Sequence, residues 1–131
     1  MKAILIDPSE GTVRKIKWHN KPLNKNGNDI RNFLQCNTFA GVGFNHYGLG
    51  TIFHDDEGLF QRPVYFFYVP ELYPMPIPGK GLIVGADVWG ETVDIPKKLE
   101  SELLNGVASV TYPTVDEVCK IEENLMKASG Y

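Results

Sequence analysis

The stretch LIVGADVWGETVD, residues 82–94, decides the fold that we expect from the sequence. An apolar run stops at Asp87, two residues lead to Gly90, and a second β-prone run follows. An Asp side chain at the start of a loop can accept a hydrogen bond from the backbone two residues later, and Gly can supply the positive φ that rejoins the second strand. The pattern predicts a β-hairpin in which residues 82–86 pair with residues 91–94.

The same Asp-to-Gly pattern occurs twice more, as DPSEG at residues 7–11 and DDEG at residues 55–58. The first predicts that residues 3–6 pair with residues 12–17. The second predicts that residues 49–54 pair with residues 59–62. Three hairpins indicate a mainly antiparallel sheet.

Three helices are predicted by their capping residues and apolar spacing. Asn28 can cap a short helix over residues 29–35. Pro96 can occupy the first turn of a helix over residues 97–104, which Asn105 and Gly106 end. The motif TVDE, residues 114–117, fits a capping box that opens a helix to about residue 128.

These elements predict an α+β fold, with a mainly antiparallel sheet built from hairpins and the C-terminal helices packed on one face. The 131 residues are expected to form a single domain. Its hairpin core would span residues 2–96, and residues 97–131 would form a helical C-terminal extension.

Four further segments complete the expected order. Residues 38–44 and 107–111 are predicted as additional strands. The run VYFFYV, residues 64–69, is too apolar to have one face in water and predicts a central or interface strand. The proline-rich residues 70–78 predict a stiff, extended connector.

Composition argues against nucleic acid as a partner, because 13 basic and 16 acidic residues leave a net charge of −3. A nucleic-acid interface would need the basic residues of one region to cluster, and these are Arg14, Lys15, Lys17, Lys21 and Lys25. The N-terminus lacks a signal-peptide pattern, so we expect a cytoplasmic protein. Cys36 and Cys119 match no metal spacing, and buried free thiols of a reducing compartment are favoured over the alternative of a single disulfide.

Ligand candidates lie in two neighbouring segments. In FHDDEGLF, residues 53–60, His54 precedes Asp55, Asp56 and Glu57. Three of these four side chains are oxygen donors, yet a four-residue turn points neighbouring side chains in different directions, and the turn interpretation is favoured. The sequence therefore predicts no metal site, no cofactor and no catalytic set.

The glycine-rich residues 39–50 lack the spacing of a dinucleotide or phosphate loop. Asn45, His46 and Tyr47 are nevertheless polar groups on a glycine-rich corner, and with His54 they are the candidates for contact with a small ligand.

Apolar side chains in exposed-looking places are the candidates for protein interaction. Trp89 lies at a predicted turn tip, Phe60 follows another, and Tyr73 and Met75 lie in the proline-rich connector. Exposed aromatic residues are typical anchors of protein interfaces.

Several short motifs in order resemble a known family. They are KAILIDP at residues 2–8, a short helix ending at Cys36, DDEGLF at 55–60, GKGLIVGAD at 79–87 and GETVDIP at 90–96. Over about residues 2–96 the chain resembles the domain-of-unknown-function 3846 family, small proteins encoded mainly by bacteriophages, plasmids and related mobile elements. The resemblance implies an accessory protein in a bacterial cytoplasm, and because that family has no established activity it assigns no functional residues.

The sequence thus favours a non-enzymatic accessory protein that binds a host or phage protein, as a monomer or homodimer. The alternative is a small ligand-binding domain or hydrolase that uses His46, His54 and the carboxylates of residues 55–57.

Overall fold

The structure, a computed structural model, describes residues 1–17 and 28–128. It contains a six-stranded antiparallel sheet in the order β2-β1-β7-β4-β3, with β8 paired to the end of β7, and a two-stranded sheet β5-β6. The strands are β1 (Lys2–Asp7), β2 (Thr12–Lys17), β3 (Phe39–Asn45), β4 (Leu49–Asp55), β5 (Phe66–Phe67), β6 (Ile77–Pro78), β7 (Gly81–Ala86) and β8 (Thr92–Val93). The helices are α1 (Asn28–Leu34), α2 (Lys97–Leu104) and α3 (Val115–Ala128).

The α+β prediction is confirmed, and the main sheet has a core on each face. Successive side chains of a strand point to opposite faces, so β7 contributes Ile83 to one core and Leu82 to the other. Leu99 of α2 packs in the first core, and Leu34 of α1 packs in the second. Helix α2 therefore covers one face, while α1 forms a layer on the other.

Two of the three predicted hairpins are confirmed. β1 pairs with β2 through Asp7↔Thr12, and β7 pairs with β8 through Ala86↔Thr92. Gly11 and Gly90 have φ values of 65° and 80°, as expected of glycines that rejoin the second strand.

The predicted pairing of residues 49–54 with residues 59–62 is wrong. β4 lies between β3 and β7, so both of its edges are already hydrogen-bonded. Residues 58–60 form a short 3₁₀ helix instead. Gly58 lets the backbone lie close to Pro78 of β6, because a Cβ at this position would lie 2.6 Å from the backbone oxygen of Pro78.

The predicted strand at residues 64–69 is confirmed only at Phe66 and Phe67, which lie in the two-stranded sheet and not at the centre of the main sheet. They pair with Ile77 and Pro78, where proline removes backbone donors and limits the ladder. Phe67 is fully buried and its ring packs over Gly81. The predicted strand at residues 107–111 is reduced to a bridge between Tyr68 and Thr111.

The capping box at the start of α3 is confirmed. The Glu117 backbone N–H donates to Thr114 Oγ1 over 3.3 Å, and the Thr114 backbone N–H donates to Glu117 Oε1 over 3.1 Å. Val118 is buried, while Val115 and Met126 are exposed. None of the helices in the described ranges is long and apolar enough to span a membrane.

Candidate functional site

A cleft opens at the end of the sheet where β1 and β4 finish and β7 begins. The registers Ile6↔Gly81 and His54↔Gly81 place Asp7 and Asp55 one position further, on either side of Lys80. The cleft has a volume of about 230 Å³. Its lining residues are Asp7, Pro8, Ser9, Leu34, Gln35, Asp55, Gly58, Gln61, Pro63, Tyr65, Gly79 and Lys80.

Lys80 is held at one side of the cleft by two partners. Its Nζ lies 3.6 Å from Asp7 Oδ2 and donates a hydrogen bond to Gln35 Oε1. Gln35 follows α1 with a φ of 53°, a left-handed conformation that is uncommon for residues other than glycine. It ends helix α1, because the Cys36 N–H donates to the Arg31 backbone oxygen over 3.2 Å, as in helices that finish with a left-handed residue.

The carboxyl of Asp7 is stabilised in its ionised form. Burial alone would raise its pKa, but hydrogen bonds from Ser9 and Glu10 and the charge of Lys80 outweigh burial and lower the pKa below its usual value. The Ser9 hydroxyl donates to Asp7 Oδ1 over 2.7 Å, and the Ser9 backbone N–H donates over 3.0 Å. Because the pKa is lowered on folding, this stabilisation is present above the ordinary pKa and is lost as the pH falls through the folded value.

Asp55 forms the turn that its sequence predicts. Its Oδ1 accepts a hydrogen bond from the Glu57 backbone N–H over 2.9 Å. Asp87 accepts in the same way from Trp89 N–H over 2.9 Å, so the Asp side chain serves the backbone in both turns. Among the described residues, Asp55 is the only polar or charged residue that is buried, at 8% exposed.

The other side chains of the HDDE segment do not join Asp55 in one site. Glu57 accepts a hydrogen bond from the Thr38 hydroxyl over 3.1 Å, and Asp56 is exposed. His54 Nδ1 lies 3.3 Å from the backbone oxygen of Asp55. Within residues 1–17 and 28–128, no three His, Cys, Asp or Glu side chains are placed to hold a metal ion.

The ligand candidates at the glycine-rich corner lie at the other end of β4. A rise of about 3.3 Å per residue separates Leu49 from His54 by about 17 Å, and His46 lies beyond Leu49. Asn45 is an exposed strand end. The structure therefore does not bring His46 and His54 together, and the alternative hydrolase hypothesis has no shared site.

Tyr47 connects the β3–β4 loop to α2. Its hydroxyl donates to Glu102 Oε1 over 2.9 Å, and Lys98 Nζ lies 4.6 Å from the centre of its ring. The hydrogen bond to Glu102 raises the pKa of Tyr47. The His46 ring contacts the Tyr47 ring with centres 4.1 Å apart. These contacts give Tyr47 and its loop a structural role.

Cys36 lies beside the cleft, and its thiol is poorly suited to nucleophilic chemistry. Burial, together with the charge of Asp55, raises its pKa to about 11, and Arg31 only partly opposes this. Cys119 is exposed, so the expectation of two buried thiols is wrong for Cys119. Both cysteines are free.

We expect Cys36 to react with DTNB at pH 8 at least about a hundredfold more slowly than the same residue in urea-unfolded protein. A pKa of about 11 leaves only about one thiolate per thousand at this pH. The measurement uses Cys119→Ser, so that Cys36 is the thiol observed. Equal rates in the folded and unfolded variant would contradict the assignment.

The interaction candidates differ in exposure. Trp89 is 85% exposed and Phe60 is 78% exposed, while Tyr73 packs against the core and Met75 is partly buried. Val88, which sequence reasoning missed, is 80% exposed beside Trp89. Trp89 follows the end of β7, whereas Phe60 lies near its beginning, so the two aromatic residues belong to different surfaces.

The basic residues near the N-terminus do not share one face of β2. Arg14 and Lys15 alternate along the strand, and Lys15 Nζ lies 3.6 Å from Glu100 Oε1. Lys21 and Lys25 lie outside the described residues.

No protein-family model, curated protein or solved structure matches this chain. The resemblance over residues 2–96 therefore stays a prediction.

Proposed function

We propose that the chain is a non-enzymatic binding protein that engages a protein partner through the turn at residues 87–90. The observation that carries this proposal is the pair Val88 and Trp89, both at least four-fifths exposed on one turn. A large exposed aromatic side chain beside a second apolar side chain provides an apolar anchor that a partner can desolvate.

The turn is held in place before any partner binds. Asp87 Oδ1 accepts from the Trp89 N–H over 2.9 Å and from the Glu91 N–H over 2.8 Å. The Gly90 N–H donates to the Asp87 backbone oxygen over 3.1 Å. An anchor whose backbone is already ordered loses less conformational entropy on binding.

The separation of the acid/base candidates supports a binding role over a hydrolytic one. His46 and His54 lie near opposite ends of β4, and the raised pKa of Cys36 opposes thiolate formation. The resemblance to a family of mobile-element proteins gives this proposal its setting. It supports a host or phage protein in a bacterial cytoplasm as the partner.

Trp89→Ala is expected to weaken capture of the partner from a bacterial lysate at least about tenfold. A Trp side chain that becomes buried in an interface is a frequent source of binding energy. Phe60→Ala, which removes a comparably exposed aromatic side chain at the other end of β7, is the matched control and should leave capture unchanged. The measurement is the amount of each co-purified protein at equal bait concentration.

Asp87 variants test whether the hydrogen-bonded backbone of the turn at residues 87–90 contributes to partner binding. Asp87→Asn keeps an oxygen acceptor and should retain the partner, while Asp87→Ala frees the Trp89 and Glu91 N–H groups and should weaken capture. If Trp89→Ala retains every partner at wild-type level, or if Phe60→Ala alone removes them, the proposed surface is wrong.

A further inference from the structure

Only one of the two oxygens of the Asp55 carboxylate accepts a hydrogen bond from the described residues. Its Oδ1 accepts from the Glu57 backbone N–H, whereas within the described residues no hydrogen bond or ion pair reaches Oδ2. Asp55 is more than nine-tenths buried and lines the cleft between β1, β4 and β7. Oδ2 is not enclosed by the protein, so it stays accessible and can accept a hydrogen bond from a ligand in the cleft.

The charges around the cleft indicate the sign of that donor. Asp7 and Asp55 are negative and Lys80 is positive, so these lining residues carry one excess negative charge. Lys80 already pairs with Asp7 and donates to Gln35. The charge of Asp55 is therefore the one left to be neutralised by a ligand.

The shape of the cleft limits the size of the ligand. At about 230 Å³ the cleft is smaller than the roughly 300–1,000 Å³ of pockets that hold drug-sized molecules, so it fits a small ligand. Gly79 has a φ of 84°, and a Cβ there would touch Asp55 Cβ at 3.4 Å. Pro63 and the half-exposed Tyr65 supply an apolar and aromatic wall, and an aromatic ring attracts cations.

We propose that the cleft binds a small organic cation, whose ammonium or guanidinium group donates to Asp55 Oδ2 and whose apolar part lies against Tyr65 and Pro63. The site goes beyond the protein-binding turn at residues 87–90, which lies at the other end of β7. The same cationic group could belong to a free amine or to a Lys or Arg side chain of another protein.

The test is a titration of the ¹⁵N-labelled protein with n-butylammonium chloride, followed by amide chemical shifts. Saturable shifts are expected at Glu57, Gly79 and Lys80, and sodium butyrate of the same size and opposite charge should not produce them. A capped Ala-Lys-Ala peptide forms the second arm. Binding as tight as that of butylammonium would assign the site to a polypeptide side chain, and weaker binding would assign it to a free amine.

Asp55→Asn is expected to weaken butylammonium binding at least tenfold. An Asn oxygen can still accept from the Glu57 N–H, so the turn is preserved. Asp56→Asn makes the same change in net charge at an exposed neighbour and should bind as the wild type does. Tyr65→Ala, which leaves the turn intact, is expected to weaken butylammonium binding at least threefold. It takes the place of Asp55→Asn in the test if that variant does not fold.

Three results would overturn the proposal. They are the absence of saturable shifts up to about 100 mM butylammonium, equal shifts with butyrate, and unchanged affinity in both Asp55→Asn and Tyr65→Ala. Loss of this site would leave the Trp89 surface untouched, since the two experiments use different probes and different ends of the sheet.

Discussion

Phe67→Ala is expected to lower the free energy of unfolding by about 4 kcal/mol, the usual cost of truncating a buried aromatic side chain. Phe67 is fully buried in the core that also contains Ile83 and Leu99. Its ring lies against Gly81, where a Cβ would come within 2.2 Å of the ring. No side chain at Gly81 can fill the space that the ring leaves, so a cavity remains.

The measurement is urea unfolding followed by circular dichroism. Phe60→Ala is the matched control, because it removes the same side chain from an exposed position and should change stability by less than about 0.5 kcal/mol. For a domain with a total stability of about 5–15 kcal/mol, the Phe67 variant would lose a large share. Equal unfolding midpoints for the two variants would show that Phe67 is not a core residue.

Gly85→Ala is expected to cost about 3 kcal/mol, at the upper end of overpacking effects. A Cβ at Gly85 would lie 2.1 Å from the backbone oxygen of Asp94. The Asp94 segment cannot easily move away, because Asp94 Oδ1 accepts from the Lys2 N–H over 2.9 Å and the Ile95 N–H donates to the Lys2 backbone oxygen over 3.0 Å. The clash therefore distorts either β7 or the contact of the Asp94 segment with Lys2 of β1.

Gly43→Ala provides the control for this second variant. Gly43 is exposed on the edge strand β3, and the nearest atom to a Cβ there is 3.9 Å away. Alanine should be neutral or slightly stabilising at this position, since it reduces the entropy of the unfolded chain. A Gly85 variant with wild-type stability would be inconsistent with the tight packing of β7 against residue 94.

The parts of the fold that were predictable from sequence are held by contacts between near neighbours in the chain. The β1–β2 and β7–β8 turns follow from Asp and Gly positions, and the start of α3 follows from Thr114 and Glu117. The pairing of β4 with β7 joins residues about thirty positions apart. No local pattern specifies such a partner, and the prediction for residues 59–62 failed for this reason.

The candidate site likewise combines one feature that the local sequence predicts with one that only the strand pairing produces. Asp55 was placed at a turn by its sequence, and its hydrogen bond to Glu57 is the expected one. Lys80 stands between two glycines and was not a candidate. Its place between Asp7 and Asp55 arises only from the two strand registers that meet at Gly81.

The central position of β7 has a consequence for how the chain acquires its structure. The β1–β2 and β3–β4 hairpins join neighbouring segments, which can close quickly. The strand that connects them begins only at residue 81, so on the ribosome the inner edges of β1 and β4 stay unpaired until residues 81–86 have been made. Unpaired edges of this kind promote association between chains. Nascent or truncated chains that end before β7 should therefore depend on chaperones more than chains that include β7 do.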